Sequence, residues 1–244
     1  MTSTLSLARL EMLRAWRNKR YTFITIGIPV VLFLLVSKAV PAGAKAYGVS
    51  YAAYYMVGMA VFGSFGSALQ GNAQRISQER KEGWVRQLRL TPLPAGSYVA
   101  AKIIASLVVT VPSILLVLLL GRFYAGVHLA AWRWLAIGIA IWAGAMSFTA
   151  LAVAIGYRFI PDVAQPITMV VYFAMSIAGG LWFAINGPLA TVGKVLPTYQ
   201  VVRLAAGVMV AGTIPAVSVA VVLAWLAGFI VLAAWSVRST VEKV

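Results

Sequence analysis

Six apolar runs, each about as long as the 20 residues a helix needs to cross a bilayer, dominate this chain. They cover Tyr21–Val40, Tyr51–Asn72, Val99–Gly121, Trp132–Tyr157, Val163–Ile185 and Ile214–Val237. Between them no segment is long enough to build a separate soluble domain. In lipid every backbone polar group must be satisfied internally, so runs of this length are expected as helices. The alternating pattern of a membrane barrel is absent. Composition agrees: 62% of residues are hydrophobic and 10% charged, against about 25% charged in soluble domains. The expected fold is an all-α membrane protein, one transmembrane domain over residues 1–244.

An even number of spans places both termini on one side, and the cations choose the side. With the N-terminus inside, the inner segments are 1–20, 73–98, 158–162 and 238–244. They carry Arg9, Arg14, Arg17, Lys19, Arg20, Arg75, Arg80, Lys81, Arg86, Arg89, Arg158, Arg238 and Lys243. The outer segments hold Lys38, Lys45, Arg122, Arg133, Lys194 and Arg203, and Lys102 lies just inside the third span. The inward excess predicts a multi-pass protein of the inner or plasma membrane with cytoplasmic termini. The net charge of +15 is thereby assigned to topology and anionic headgroups, not to nucleic acid.

Residues 1–20 read as an interfacial helix. Leu5, Ala8, Met12, Ala15 and Trp16 form one apolar face, with Glu11, Arg14 and Arg17 opposite, although Leu7 and Leu10 fall on the charged side. A cleaved signal peptide is the rival reading, drawn from the basic leader, the run Phe23–Val36 and the small residues at 42–46. A retained first span is preferred, because the leader is long and carries Glu11. Pro29 and Pro112 can bend spans one and three. The small residues Ala136, Ala140 and Gly144 permit close helix contact. Trp132 and Trp134 are expected as interfacial anchors. The segment 186–212, with Pro188, Pro197 and the periodic run Tyr199–Val210, predicts an external re-entrant or interfacial helix.

Catalytic chemistry finds little to work with. The carboxylates are Glu11, Glu79, Glu82, Asp162 and Glu242, all expected in aqueous or interfacial positions. None pairs within a span to act as acid and base or to bind a metal. One histidine, His128, and no cysteine exclude a multi-histidine or thiolate metal centre and a cysteine nucleophile. No glycine-rich loop with its Lys and Ser/Thr is present, so this chain is not expected to hydrolyse ATP. Ser64, Ser67, Thr149, Thr168 and Ser176 lie in spans, where bonding to the helix backbone explains them better than a solute path.

Functional weight therefore moves to Ser77–Pro94, a charged island in an apolar chain. Gln78–Arg89 is expected to be helical. Glu82 precedes Arg86 by four residues, the favourable order for a helical ion pair. Trp84 and Leu88 share a face, and Thr91-Pro92-Leu93-Pro94 stops the helix. Such an element suits docking into a groove on another protein, and a solvated topogenic loop is the alternative.

The run Gln78-Glu79-Arg80-Lys81-Glu82-Gly83-Trp84, then Leu88, Thr91-Pro92-Leu93 and Tyr98 to Lys102, resembles the first cytoplasmic loop of ABC-2 type exporter permeases. The family pattern there is an E-R-x-x-G-(T/W) run, a leucine and a T-P or S-P turn. Trp84 stands where Thr is more usual. The amphipathic start, the six spans and Leu196-Pro197 before the last span extend the likeness along the chain.

The resemblance implies the ABC-2, or type V exporter, permease fold. It implies a permease that pairs as a homodimer or with a similar permease and binds separate ATPase subunits, which hold the ATP and Mg; no cofactor is expected in this chain. It makes the loop a coupling helix, with Glu79, Arg80, Glu82 and Arg86 as polar ATPase contacts and Trp84 and Leu88 as packing ones. The short loop Arg158–Gln165, with Arg158 and Asp162, matches the second contact. Family members export drugs, antibiotics, lipids or polysaccharides. Small size fits efflux of a small hydrophobic or amphipathic compound better than polymer export. A membrane scaffold that recruits a cytoplasmic partner without transport, and a lipid-modifying enzyme, are the competing classes.

Overall fold

A computed structural model describes residues 2–41, 43–90 and 96–241. Ten helices and one hairpin follow in the order α1 (Thr2–Arg17), α2 (Lys19–Ala39), β1 (Lys45–Ala46), β2 (Val49–Ser50), α3 (Tyr51–Lys81), α4 (Trp84–Arg89), α5 (Ser97–Phe123), α6 (Ala131–Arg158), α7 (Pro161–Ala178), α8 (Gly187–Gly193), α9 (Pro197–Val210) and α10 (Ala216–Val241). Among the described residues, α3, α5, α6 and α10 are long and apolar enough to cross a membrane. The other two expected spans are α2, whose apolar stretch Thr25–Ala39 is shorter, and α7.

The hub is α3. It packs against α2, α5, α6, α7 and α9, and residues from Ala53 to Ala73 are almost continuously buried. Its sequence explains why: Gly58, Gly63, Gly66 and Gly71 are interleaved with Ala and Ser, so neighbouring helices approach its backbone closely. At Gly63 an added Cβ would overlap Ser113 of α5 and lie 2.8 Å from Pro29 Cγ of α2. Gly63→Ala is therefore expected to cost about 1–3 kcal/mol by overpacking, read as a lowered unfolding temperature in detergent. Gly144 of α6 is a second such point, where a Cβ would lie 2.6 Å from Val201 of α9 and 3.1 Å from Phe65 of α3.

Ser50 caps α3, accepting from Ala53 N at 3.3 Å. Tyr47 and Gly48, with φ of 50° and 83°, turn the hairpin before it, and positive φ at both central positions is the geometry such two-residue turns favour. The Tyr47 hydroxyl donates to Ile185 O at 3.3 Å and accepts from Ile185 N at 3.2 Å; burial raises its pKa above the ordinary phenol value.

Three expectations change. The second span does not stop at Asn72, because α3 runs on to Lys81 and is about 46 Å long at 1.5 Å per residue. The fifth does not reach Ile185: α7 ends at Ala178, and Gly179–Gly180 turn the chain beneath Thr198, which donates to Met175 O at 2.8 Å. The third concerns the N-terminal helix. Leu7, Ala8, Glu11 and Ala15 face inward, while Leu5, Leu10, Leu13 and Trp16 are exposed. The inward face packs through Leu7 and Ala8 on Ala101 and Ile104 of α5, and Thr4 donates to Ser97 at 3.1 Å.

The segment 186–212 carries two helices, α8 and α9. α9 buries Pro197–Val202, Ala205, Ala206, Val208 and Met209 against α6, α10 and α3. Its C-terminal turn is held by Arg133, which donates to Met209 O at 2.7 Å, a cation where the helix dipole favours one. The neighbouring Trp132 is half exposed and Trp134 is partly buried.

Candidate functional site

At the end of the bundle opposite the hairpin, the last turns of α3 carry the charged island. Glu82 is its C-cap, with Glu82 N bonded to Gln78 O at 2.9 Å and Gly83 N to Arg80 O at 3.1 Å. Gly83 has φ of 76°, a left-handed value that ends helices and suits glycine. The chain restarts as α4, a helix of six residues. The expected continuous helix over Gln78–Arg89 is thus two helices with a corner between them. The corner removes the helical register between Glu82 and Arg86; Glu82 instead accepts from Gln78 Nε2 at 2.7 Å. The Thr91–Pro94 turn and the side chain of Leu88 lie outside the described residues.

The island divides into an inner and an outer face. Glu79 points inward, accepting from Lys102 Nζ at 2.7 Å and from the Tyr98 hydroxyl. Lys102 also reaches Glu11 of α1 at 2.5 Å. Arg14 lies 3.6 Å from Glu11 and 3.9 Å from Glu79. The side chains of Lys102 and Glu11 are 2% and 3% exposed. Two carboxylates and two cations thereby tie α1, α3 and α5 into one unit, and a charge left unpaired at such depth would be costly. The expectation that every carboxylate is aqueous or interfacial fails at Glu11, because Lys102 enters the span and needs a counter-charge.

Arg80 also turns inward. It donates to Gly156 O at 3.0 Å and to Tyr157 O, and its guanidinium sits 5.4 Å from the Tyr157 ring centroid. It clamps the last turn of α6 to the tail of α3. Trp84 and Val85 pack on the apolar cluster of Ile76, Tyr98, Val153 and Tyr157, and Arg14 lies over the Trp84 ring at 5.2 Å. A cleft of about 420 Å³ opens between the end of α1 and this corner, lined by Arg14, Asn18, Arg75, Glu79, Glu82, Trp84 and Gln87.

Lys81, Glu82, Arg86 and Gln87 are exposed. Beside them lies the short α6–α7 connection. Asp162 faces Lys81 at 3.6 Å, both side chains more than half exposed, and Gln165 accepts from Gln74 at 3.3 Å. Arg158 is exposed, with its guanidinium 5.2 Å from the Trp235 ring. The two loops singled out in the sequence thus form one polar surface. Of the expected contact residues, Glu82, Arg86, Arg158 and Asp162 are on it; Glu79, Arg80 and Trp84 hold it in place. Glu11, Tyr98 and Lys102 complete that support and were not among the expected site residues.

Four of the five span hydroxyls singled out in the sequence bond as helix residues do. Ser64, Thr168 and Ser176 donate to carbonyls three residues earlier. Thr149 bonds Ala145 O at 3.3 Å and meets Ser106 at 2.9 Å.

Comparison with known proteins gives this surface its context. Residues 38–237 match the family model described as ABC-2 family transporter protein. A Bacillus subtilis (strain 168) protein named "Putative transport permease YvfS" is 30% identical over 193 residues, 78% of each chain. The all-α bundle, its membrane-length helices and the family match agree, and the chain belongs to the ABC-2 family of transporter proteins.

Proposed function

We propose that this chain is the membrane-spanning permease of an ATP-driven exporter that moves a hydrophobic or amphipathic compound out of the cell. A separate ABC ATPase, the kind of partner the family implies, docks on the exposed surface formed by Lys81, Glu82, Arg86, Gln87 and Asp162. That end faces the cytoplasm, following the excess of cations on it. Two permeases associate, as a homodimer or with a similar partner, and the compound leaves between them. ATP and Mg belong to the partner.

One observation carries the reading. The exposed loop is not free to move by itself: Glu79, Arg80 and Trp84 fasten it to α1, α5 and α6. Force applied at Glu82 and Arg86 therefore reaches three other helices through ion pairs and hydrogen bonds. A ligand shifts a conformational equilibrium only by binding its two states differently, and a stiffly mounted surface lets ATPase closure do that. Reversing Arg86 tests the docking. Arg86→Glu is expected to abolish co-purification with the ATPase and export, with membrane level and unfolding temperature unchanged. Normal co-purification and export by this variant would reject the surface as the docking site.

A further inference from the structure

We propose that the groove between α5 and α6 holds one acyl chain of an anionic phospholipid, with its phosphate on Arg122. The groove encloses about 560 Å³ and is overwhelmingly apolar. Buried Ile114 and Leu118 form its floor. Trp134 and Trp142 of α6 wall one side, and Trp142 Nε1 donates to Leu107 O of α5 at 2.8 Å, drawing the helices together at the inner end. Gly138 keeps the middle open.

Length and charge choose the occupant. From Val111 to Arg122 the groove follows 12 residues of α5, about 17 Å end to end at a rise of 1.5 Å per residue. Half of a hydrocarbon core is about 15 Å, so the groove is one leaflet deep. Its mouth lies at the end away from the charged island, where α5 closes with Arg122 in its last turn. Lys38 stands close by, 4.9 Å from the ring centroid of Tyr124. The described carboxylates, Glu11, Glu79, Glu82 and Asp162, belong to the other end. Arg122 makes no ion pair among the described residues. A cation at headgroup level above an apolar slot matches a lipid phosphate above its chain, and a guanidinium can hold a phosphate with two parallel hydrogen bonds. This site needs only that α5 and α6 span a bilayer, and it is independent of the transport reading.

Two variants separate the slot from the charge. A Cβ on Gly138 meets only Leu118 Cδ1, at 3.8 Å, so Gly138→Leu fills the groove without backbone overlap. Arg122→Gln removes the cation at an exposed site. Purified full-length protein is titrated with phosphatidylglycerol or phosphatidylcholine in detergent and read by native mass spectrometry, with unfolding temperature measured in parallel. The unaltered protein is expected to retain phosphatidylglycerol preferentially. Arg122→Gln should weaken that retention about tenfold, the scale of one charge-assisted contact, and erase the preference. Gly138→Leu should lose both lipids at an unchanged unfolding temperature. Equal retention of the two lipids by the unaltered protein, or full retention by Gly138→Leu, overturns the proposal. So does a Gly138→Leu variant that changes oligomeric state while retaining lipid, which would assign the groove to a second copy.

Discussion

Lys102→Met is expected to destabilise the protein by about 3–5 kcal/mol, the cost of removing one partner from a buried ion pair. Lys102 is the shared cation of Glu11 and Glu79, at 2.5 and 2.7 Å. The side chains of the three are 2%, 3% and 14% exposed. Without the ammonium, the ion pair left to Glu11 among the described residues is that with Arg14, which is 3.6 Å away and about half exposed. A cation in that position is screened by water and does not compensate a carboxylate at depth. The helix α1 should then detach more readily from α5, on which it keeps the apolar Leu7–Ala8 contact and the Thr4–Ser97 hydrogen bond. Thermal unfolding of the purified protein measures the loss, and protease cleavage within residues 1–20 reports the detachment. The double variant Glu11→Gln with Lys102→Met supplies the control: it should be less damaged than Lys102→Met alone, since the deepest carboxylate is neutralised together with its cation. A single variant that unfolds where the unaltered protein does would show that the cluster does not anchor α1.

The same cluster marks the boundary of what local pattern reveals. The helical spans, the basic end and the position of the charged island followed from apolar run lengths and cation placement, which are local properties. Which face of α1 turns inward did not. The leucines at 5, 7, 10 and 13 spread over more than half of the circumference of residues 2–17, so periodicity alone is ambiguous. The face is chosen by Lys102, 91 residues further on. A usable signal was present: a lysine inside an apolar span requires a counter-charge, and all five carboxylates, Glu11 and Glu79 among them, were expected at the same end.

The division of the island into supporting and exposed residues was equally non-local. Glu79, Arg80 and Glu82 are near neighbours in sequence, and composition treats them alike. Their roles differ because Lys102 and the end of α6 lie on one side of the α3 tail only. The corner at Gly83, by contrast, was legible as an isolated glycine in a helical pattern. The end of α7 was legible as the pair Gly179–Gly180, which a hydrophobicity window over Val163–Ile185 averages away.

Arg80 supplies the sharpest test of how the loop is connected to the bundle. Arg80→Met removes a guanidinium from the last turn of α6, where it bonds Gly156 O and Tyr157 O. Carbonyls at a helix C-terminus lack intrahelical donors, and a cation there is favoured by the dipole. Hydrogen bonds to a charged group contribute about 1.5–3 kcal/mol, so stability falls, though by less than for Lys102→Met. The larger effect is expected on coupling. With Glu82 and Arg86 intact, the variant should still co-purify with its ATPase and ATP should still be hydrolysed, while export falls at least tenfold because displacement of the α3 tail no longer reaches α6. Arg80→Lys should restore part of the loss, because one nitrogen, Nη1, makes both carbonyl bonds, while the planar group that stacks on Tyr157 is missing. Arg86→Glu should fail one step earlier, at association. If Arg80→Met also fails at association while remaining folded, Arg80 contacts the ATPase directly and the clamp on α6 is not the route by which the loop drives the bundle.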